Sequence, residues 1–136
     1  MQRETASSGA DLLLEFRDVN TYYGDLHVLK DVNYSIRRGE IVSLLGGNAC
    51  GKSTTMKTIM GVVRPTSGQV LFDGEPIQKL PTADRVRRGI APVLEARRLF
   101  PRMTVFENLE MGAYLRKRGA EFDQDLERVY SLFPRV

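Results

Sequence analysis

Histidine and cysteine are scarce in this sequence of 136 residues, which contains one of each. The single cysteine, Cys50, cannot form an intramolecular disulfide, and such scarcity is typical of proteins in reducing compartments. The single histidine, His27, leaves no Ser-His-Asp set and no Cys/His cluster with metal-ligand spacing. The sequence therefore argues against a disulfide-stabilised scaffold, a serine-hydrolase triad and a structural zinc site.

Long apolar runs are also absent, since none approaches the roughly 20 residues needed to cross a bilayer. Residues 1–10 (MQRETASSGA) have no apolar core typical of a signal peptide, and we expect them to form a loose tail. We therefore expect a cytoplasmic location, with any association with a membrane made through a partner.

An excess of charge of one sign is missing as well. Lys plus Arg number 20 and Asp plus Glu number 17, which gives a net charge of +3. A nucleic-acid interface needs a denser basic face with interleaved aromatics, so we expect no nucleic-acid partner. The hydrophobic content of 42% and the length fit one domain with a sizeable core.

What the sequence does contain is the run GGNACGKS at residues 46–53, which fits the phosphate-binding pattern G-x-x-x-x-G-K-S/T. The apolar run at residues 41–45 (IVSLL) predicts a strand before it. Residues 53–60 predict a helix after it. This strand, loop and helix context distinguishes a phosphate-binding loop from a Gly-rich turn followed by a chance Lys-Ser.

Each residue type in the loop has a physical role. Gly46 and Gly51 permit backbone conformations that a Cβ would block, so that loop N–H groups can converge on phosphates. Lys52 can reach the β- and γ-phosphates, and Ser53 can place its hydroxyl on Mg²⁺. The candidate phosphate-binding residues are therefore Gly46, Gly47, Asn48, Ala49, Cys50, Gly51, Lys52, Ser53 and Thr54.

Alternating apolar residues predict antiparallel strands on both sides of this loop. One strand is expected over residues 12–17 and another over residues 32–36, with a turn at Gly24 between them. Residues 69–72 predict a short strand, and the following Asp73-Gly74 is a strong hairpin signal. This order differs from a simple Rossmann unit, where the phosphate loop follows the first strand.

Four further elements are predicted after the hairpin. Thr82 is a plausible N-cap for a helix over residues 83–88 that Gly89 ends, and residues 90–94 predict a buried strand despite Pro92. Thr104 and Glu107 match a capping box for a helix over residues 105–116, which Gly119 ends. A last helix carries an apolar stripe formed by Phe122, Leu126, Val129, Tyr130 and Phe133.

With these residues in view, the chain resembles the ATP-binding subunit of an ABC transporter. The resemblance rests on the phosphate loop, the strands before it and residues 65–74 (PTSGQVLFDG), and it spans residues 12–136. Residues 97–113 and 130–135 are similar to the ATPase subunits of branched-chain amino acid importers. It implies an α/β P-loop NTPase fold of the ABC ATPase type over residues 11–136. This fold has an antiparallel β subdomain, a partial parallel core sheet and the start of a helical subdomain.

The resemblance also assigns residues and cofactors. ATP and Mg²⁺ are the implied cofactors, and Tyr23, followed by Gly24, takes the position that stacks on adenine. Glu95 takes the position of a loop residue near Mg²⁺ and the attacking water, so Lys52 and Glu95 are candidate catalytic residues and Ser53 and Glu95 candidate metal ligands. Without the resemblance, the sequence favours a core or rim position for Tyr23. Glu95 is then interpreted as a solvated loop residue beside Arg97 and Arg98.

Several parts of the family pattern are not found. These are the Leu-Ser-Gly-Gly signature, the Asp-Glu pair that closes a strand, and a switch histidine, since His27 precedes the phosphate loop. Asp73 follows an apolar run but belongs to the hairpin. We therefore expect a chain that stops before the signature, binds ATP weakly and turns it over poorly or not at all.

The resemblance further implies partners for a complete relative. These are a second ATPase subunit in a head-to-tail dimer, transmembrane permease subunits and, indirectly, a periplasmic amino-acid-binding protein. Such a relative lies on the cytoplasmic face of the inner membrane and drives branched-chain amino acid uptake. Two departures raise the possibility of a degenerate copy, namely Ala49 in place of a usual Gly and Pro92 within an expected strand.

Two alternative functions and the role of Cys50 remain open at this point. The chain is a non-catalytic nucleotide-binding module that binds a partner through the Phe122-to-Phe133 stripe, or a different P-loop enzyme such as a kinase or GTPase. The second lacks support, since no guanine-reading Asn-Lys-x-Asp motif is present. Cys50 is either a small loop residue or a thiol activated by Lys52 and the helix N-terminus.

Overall fold

The computed structural model describes residues 11–94 and 98–134, and the chain separates into two compact units between Ala91 and Pro92. The first unit contains a sheet and two helices, and the second contains two helices. Their elements are, in chain order, β1 (Leu12–Tyr23), β2 (Leu26–Arg37), α1 (Lys52–Met60), β3 (Ser67–Phe72), β4 (Glu75–Pro76), α2 (Thr82–Arg87), α3 (Val105–Gly112) and α4 (Ala120–Leu132).

The sheet of the first unit is antiparallel throughout, with the order β2-β1-β3-β4. A two-residue turn that begins at Gly24, with φ 57°, joins the two long strands and pairs Tyr23 with Leu26. Asp73 and Gly74, with φ 53° and 76°, form the turn between β3 and β4. The strands predicted over residues 12–17, 32–36 and 69–72 and both predicted turns are therefore confirmed.

The core of this unit lies on one face of the sheet. Phe16 is 1% exposed and stacks on Tyr34 with ring centroids 4.6 Å apart, and burial raises the pKa of the Tyr34 hydroxyl. Over residues 32–36 of β2 the apolar side chains are half-buried and the polar ones between them exposed, which confirms the predicted alternation. The buried core cluster consists of Leu14, Phe16, Val19, Leu29, Val70 and Ile77.

The two strands expected for a parallel core sheet are not formed. Residues 41–45 make no strand, and Ile41 and Leu45 are 97% and 87% exposed. Residues 90–94 make none either, and Val93 is fully exposed beside Pro92, which has no N–H to donate to a ladder. A parallel strand forms only beside neighbouring strands, and no described strand of this chain pairs with either segment.

The predicted helices form, with shifted ends. Residue 81 rather than Thr82 occupies the N-cap of α2, so the predicted cap is wrong: Thr82 already has helical backbone and Pro81 supplies no side-chain cap. Gly89, with φ 97°, follows the helix as predicted. The α1 helix begins at Lys52, one residue before the predicted start.

In the second unit the predicted capping box of α3 is confirmed. The Thr104 hydroxyl accepts from the Glu107 N–H, and the Glu107 carboxylate accepts from the Thr104 N–H at 2.7 Å. The helix ends at Gly112 rather than Arg116, because the Ala113 N–H makes the last cap bonds and the chain then turns. Arg116 instead forms an ion pair with Asp125 of α4.

The apolar stripe of α4 is only partly covered. Phe122 is buried, Leu126 and Val129 are half-buried, and Tyr130 and Phe133 are exposed. Across the part of the chain that the structure describes, helices of the length and apolar character required of a membrane span do not occur.

Candidate functional site

The loop at residues 46–51 leads directly into α1 and is shaped by close contacts. A Cβ at Gly46 would lie 2.5 Å from the Cys50 Sγ, and one at Gly51 would lie 2.9 Å from Leu29 Cδ2 of β2. Gly51 also has φ 92°, in the left-handed region that favours glycine. Both glycines singled out from the motif are therefore required by the space and the backbone around them.

Lys52 folds back over this loop. Its Nζ donates to the carbonyl oxygens of Gly46 at 2.7 Å and Gly47 at 2.5 Å, and lies 3.5 Å from the Cys50 Sγ. Among the described ion pairs none involves Lys52, so no described carboxylate neutralises its positive charge. The ammonium group is thus placed at the loop and available to an anion.

The N-terminus of α1 adds donors to that charge. Gly51 at the N-cap offers no side-chain acceptor, and the first turn holds no acidic residue. The Thr55 N–H makes the first helical bond to the Gly51 carbonyl at 2.8 Å, which leaves the preceding N–H groups for an acceptor outside the helix. Donors, helix dipole and Lys52 together fit an anionic phosphate chain.

The side chains of the first turn differ in access. Ser53 is exposed and its hydroxyl can supply one ligand to Mg²⁺, whereas Thr54 is 7% exposed and can offer only its backbone to a ligand. Within the described ranges no group of three or more His, Cys, Asp or Glu residues is placed to hold a metal ion. The residues present therefore fit a Mg²⁺ ion held mainly by phosphate and water, with Ser53 as a protein ligand.

Ala49 departs from the usual glycine at a position that needs one. Its φ is 62°, in the left-handed region where a Cβ crowds the following carbonyl. An alanine in this conformation strains the turn. Asn48 and Cys50 are exposed on either side, so the loop carries the strain without packing that would enforce it.

Tyr23 lies at the end of β1 and is 42% exposed. It pairs with Leu26, and three residues further along β2 Leu29 approaches Gly51. At about 3.3 Å per residue, the strand position of Tyr23 lies about 10 Å from that of Leu29, the residue beside the phosphate loop. The spacing fits a nucleoside triphosphate whose base and phosphates are separated by a ribose.

The neighbouring aromatic residue is already engaged. Tyr22 stacks on His27 with ring centroids 4.0 Å apart and planes 8° apart, and His27 Nε2 lies 2.8 Å from the Asn20 Oδ1. No such ring contact involves Tyr23 in the described part of the chain. His27 is thus part of the β1–β2 hairpin, and Tyr23 is the ring left open to a base.

Two residues remain, one that the sequence predicted for the site and one that it did not. Glu95 lies outside the described residues. Arg85 of α2, by contrast, was not singled out by sequence reasoning, yet it is fully buried against the C-terminal end of α1. No sequence signal marked it, because an arginine on a short polar helix normally faces solvent.

A phosphate-binding loop at the start of a helix, beside an antiparallel sheet with an exposed tyrosine, defines a nucleotide-binding protein of the P-loop class. Residues 29–135 match the family model described as ABC transporter. The chain belongs to this family, and its fold is the P-loop NTPase fold of ABC ATPases.

Curated relatives agree on the family and differ in substrate. The chain is 40% identical over 124 residues to the high-affinity branched-chain amino acid transport ATP-binding protein BraG of Pseudomonas aeruginosa, covering 91% of this chain and 53% of BraG. It is 38% identical over 105 residues to the spermidine/putrescine import ATP-binding protein PotA of Clostridioides difficile, covering 77% of this chain and 29% of PotA. The chain thus spans about half the length of BraG and less of PotA.

Solved structures show the same fold. The cbiO1 protein of Clostridium perfringens, part of the ABC transporter complex cbiONQ, aligns with a TM-score of 0.75 and 32% identity over 89% of this chain and 50% of its own. The ATP-binding cassette MJ0796, in a dimeric post-hydrolysis state bound to ADP and phosphate, aligns with a TM-score of 0.66 and 30% identity over 79% of this chain and 50% of its own.

Proposed function

We propose that this chain binds Mg-ATP through residues 46–54 and is the nucleotide-binding part of an ABC importer ATPase for branched-chain amino acids. The observation that carries the proposal is Lys52, whose ammonium lies over the loop with no carboxylate partner in the described residues. The Lys52 ammonium is bonded to neutral carbonyls, and a phosphate anion at this position would form stronger, charge-assisted hydrogen bonds with it.

The proposed roles follow from chemistry at each position. Lys52 and the N–H groups of the loop and first turn hold the phosphates, including those of Gly47, Asn48, Ala49, Cys50 and Thr54. Tyr23 stacks on the adenine. Ser53 and Glu95 are the proposed Mg²⁺ ligands. Mg²⁺ supplies neutralisation of charge on the transferring phosphoryl group, and Lys52 stabilises the same charge from the loop. Glu95 lies near the attacking water in this assignment.

The substrate branch rests on the likeness to BraG, which exceeds in identity and coverage the likeness to PotA. The proposed partners are a second ATPase subunit in a head-to-tail dimer, transmembrane permease subunits and, through them, a periplasmic amino-acid-binding protein. The dimeric state of MJ0796 supports the first of these. The proposed location is the cytoplasmic face of the inner membrane, and the 136-residue chain by itself turns ATP over poorly or not at all.

A thermal melt of the chain with and without Mg-ATP tests the nucleotide site. At ligand about a hundredfold above Kd, binding adds about 2.7 kcal/mol, which raises Tm by at least about 5 °C for a domain of this size. We expect the rise to vanish in Lys52→Ala and to persist in Lys57→Ala, which removes an exposed lysine from the same helix. An equal rise in Lys52→Ala would place ATP elsewhere, and no rise in the folded wild type would refute the proposal.

A second candidate function is a non-catalytic module that binds a partner through α4. The exposed Tyr130 and Phe133, 36% and 59% accessible, favour it. Absence of phosphate release does not separate the two, because the first proposal also expects little or no turnover from the 136-residue chain. Release above that of Lys52→Ala supports the ATPase, whereas a partner complex that is lost in Phe133→Ser, with ATP binding unchanged, supports the module.

A further inference from the structure

Arg85 is the largest fully buried side chain in the described part of the molecule, with 0% exposure. Its Nη1 donates to the carbonyls of Thr58 at 2.6 Å and Ile59 at 2.7 Å, and its Nε donates to the Leu80 carbonyl at 3.0 Å. Among the described ion pairs none includes Arg85. A buried guanidinium without a carboxylate is costly, so these three carbonyl bonds compensate it.

Two of those carbonyls belong to the last turn of α1. The final carbonyls of a helix lack intrahelical partners, and the helix dipole places partial negative charge there. Arg85 brings positive charge and donors to this end from a separate helix, α2, in addition to the Gly61 N–H that the Thr58 carbonyl accepts at 3.2 Å. It therefore joins the C-terminal end of α1 to the segment that follows the sheet.

The space for this contact is provided by Gly61, the C-cap of α1. Its φ is 74°, and a Cβ there would lie 2.7 Å from Arg85 Nε and 2.8 Å from Cζ. Any side chain at residue 61 would push the guanidinium away from the helix end. The buried position of Arg85 therefore depends on a glycine at residue 61.

The first two turns of α1 contribute little apolar burial, whereas at its C-terminal end Met60 is buried and Ile59 packs against the core. The buried face of α1 includes Thr54, Thr55 and Thr58, and two of the hydroxyls bond within the helix, Thr55 to the Gly51 carbonyl and Thr58 to the Thr54 carbonyl. Short polar side chains satisfied inside their own helix fix its position only weakly. The directional bonds from Arg85 therefore act together with the apolar contacts of Ile59 and Met60 at the C-terminal end of α1.

We propose that Arg85 is a positioning residue for the nucleotide site. The α1 helix is nine residues long, about 13 Å, with Lys52 at one end and the Arg85 bonds at the other. Holding one end of a short rigid helix sets its rotation and axial position, and hence where Lys52 and the first-turn N–H groups meet the phosphates. The inference rests on the proposed ATP site.

The charge of Arg85 persists in its buried setting. Burial lowers the pKa of the guanidinium, and the nearby Arg64 lowers it further, yet arginine stays protonated near neutral pH. Its Nη2 is buried without a hydrogen-bond partner in the described residues. The bonds to α1 therefore use only part of the donor set, and a lysine can replace some of them.

Affinity for Mg-ATP, measured by titration on folded protein, tests the role. Arg85→Met keeps the aliphatic part, and we expect it to raise Kd by at least about fivefold, a usual size for coupling between sites. Arg85→Lys should recover part of that loss. The matched control, Arg87→Met, removes an exposed arginine of the same helix and should leave Kd unchanged. A lowered Tm with an unchanged Kd in Arg85→Met would mean a structural role only and overturn the proposal.

A second measurement uses the wild-type chain, so it does not depend on whether a variant folds. Coupling is reciprocal, so ATP at the loop should tighten the bonds at the far end of α1. In the wild-type chain labelled with ¹⁵N-arginine, we expect Mg-ATP to slow hydrogen exchange of the Arg85 Nε–H, and unchanged exchange overturns the inference. Wild type that fails to bind Mg-ATP refutes the proposed function and this inference together. Binding that depends on Lys52 but leaves both Arg85 readouts unchanged refutes the inference alone.

Discussion

The antiparallel sheet and residues 41–45 are both rich in apolar side chains, yet only the sheet buries them. Leu14 and Phe16 of β1 are 6% and 1% exposed, whereas Ile41 and Leu45 are 97% and 87% exposed. Composition does not distinguish the two. The difference shows that a strand depends on a partner as much as on its own residues.

The two partners of β1 both run antiparallel to it, β2 close in sequence and β3 from a distant part of the chain. A two-residue turn brings β2 back along it, and β3 returns on its other side to complete the ladder. Parallel pairing instead needs a crossover and neighbouring strands, and no described strand lies beside residues 41–45. The phosphate loop is therefore held from α1 and from Leu29 of β2 rather than from the segment before it.

The largest expected effect comes from removing a core ring. Phe16→Ala should lower the free energy of unfolding by about 3–5 kcal/mol, because Phe16 is 1% exposed and stacks on Tyr34. Leu45→Ala, at 87% exposure, should change it by less than about 0.5 kcal/mol. Urea denaturation measures both. A cost for Leu45→Ala near that of Phe16→Ala would break the comparison, since residues 41–45 would then be packed in solution.

A smaller effect is expected within the loop. Ala49→Gly should relieve about 1 kcal/mol of strain, because Ala49 has φ 62° and glycine adopts this conformation freely. We expect higher thermal stability and a lower Kd for Mg-ATP. Gly47→Ala serves as a control for thermal stability alone, since a Cβ there meets nothing within 4 Å but Gly47 belongs to the proposed phosphate site. A fall in stability or affinity on Ala49→Gly would show that the methyl group makes a favourable contact.

The smallest effect lies in α3, which buries no residue and relies on its cap. Thr104→Ala should cost about 1 kcal/mol of local helix stability, measured as helical circular dichroism. Hydrogen bonds from the Thr104 N–H and then its hydroxyl lower the pKa of Glu107 below 4.5. The cap therefore stabilises α3 above that pH and is lost as pH falls through the lowered pKa. If wild type and Thr104→Ala lose helix in parallel on acidification, the cap is not the source of the pH dependence.

Local patterns account for most of what could be predicted. The Gly24 and Asp73-Gly74 turns, the alternation along β2 and the Thr104–Glu107 box each depend on residues a few positions apart. Turn and cap chemistry acts at short range, so the chain forms these features wherever they occur. The cap of α2 was misplaced by one residue because both Pro81 and Thr82 suit a helix start.

The sequence by itself determined the phosphate-binding motif, the hairpins and the family, because each is written in contiguous residues. Only the tertiary structure decided that residues 41–45 stay unpaired, that Ala49 sits in a left-handed turn, and that Arg85 lies buried at the end of α1. These outcomes depend on contacts between residues that are far apart in the sequence. A carbonyl at the end of one helix and a guanidinium on another, 27 positions apart from Thr58 to Arg85, have no local pattern that joins them.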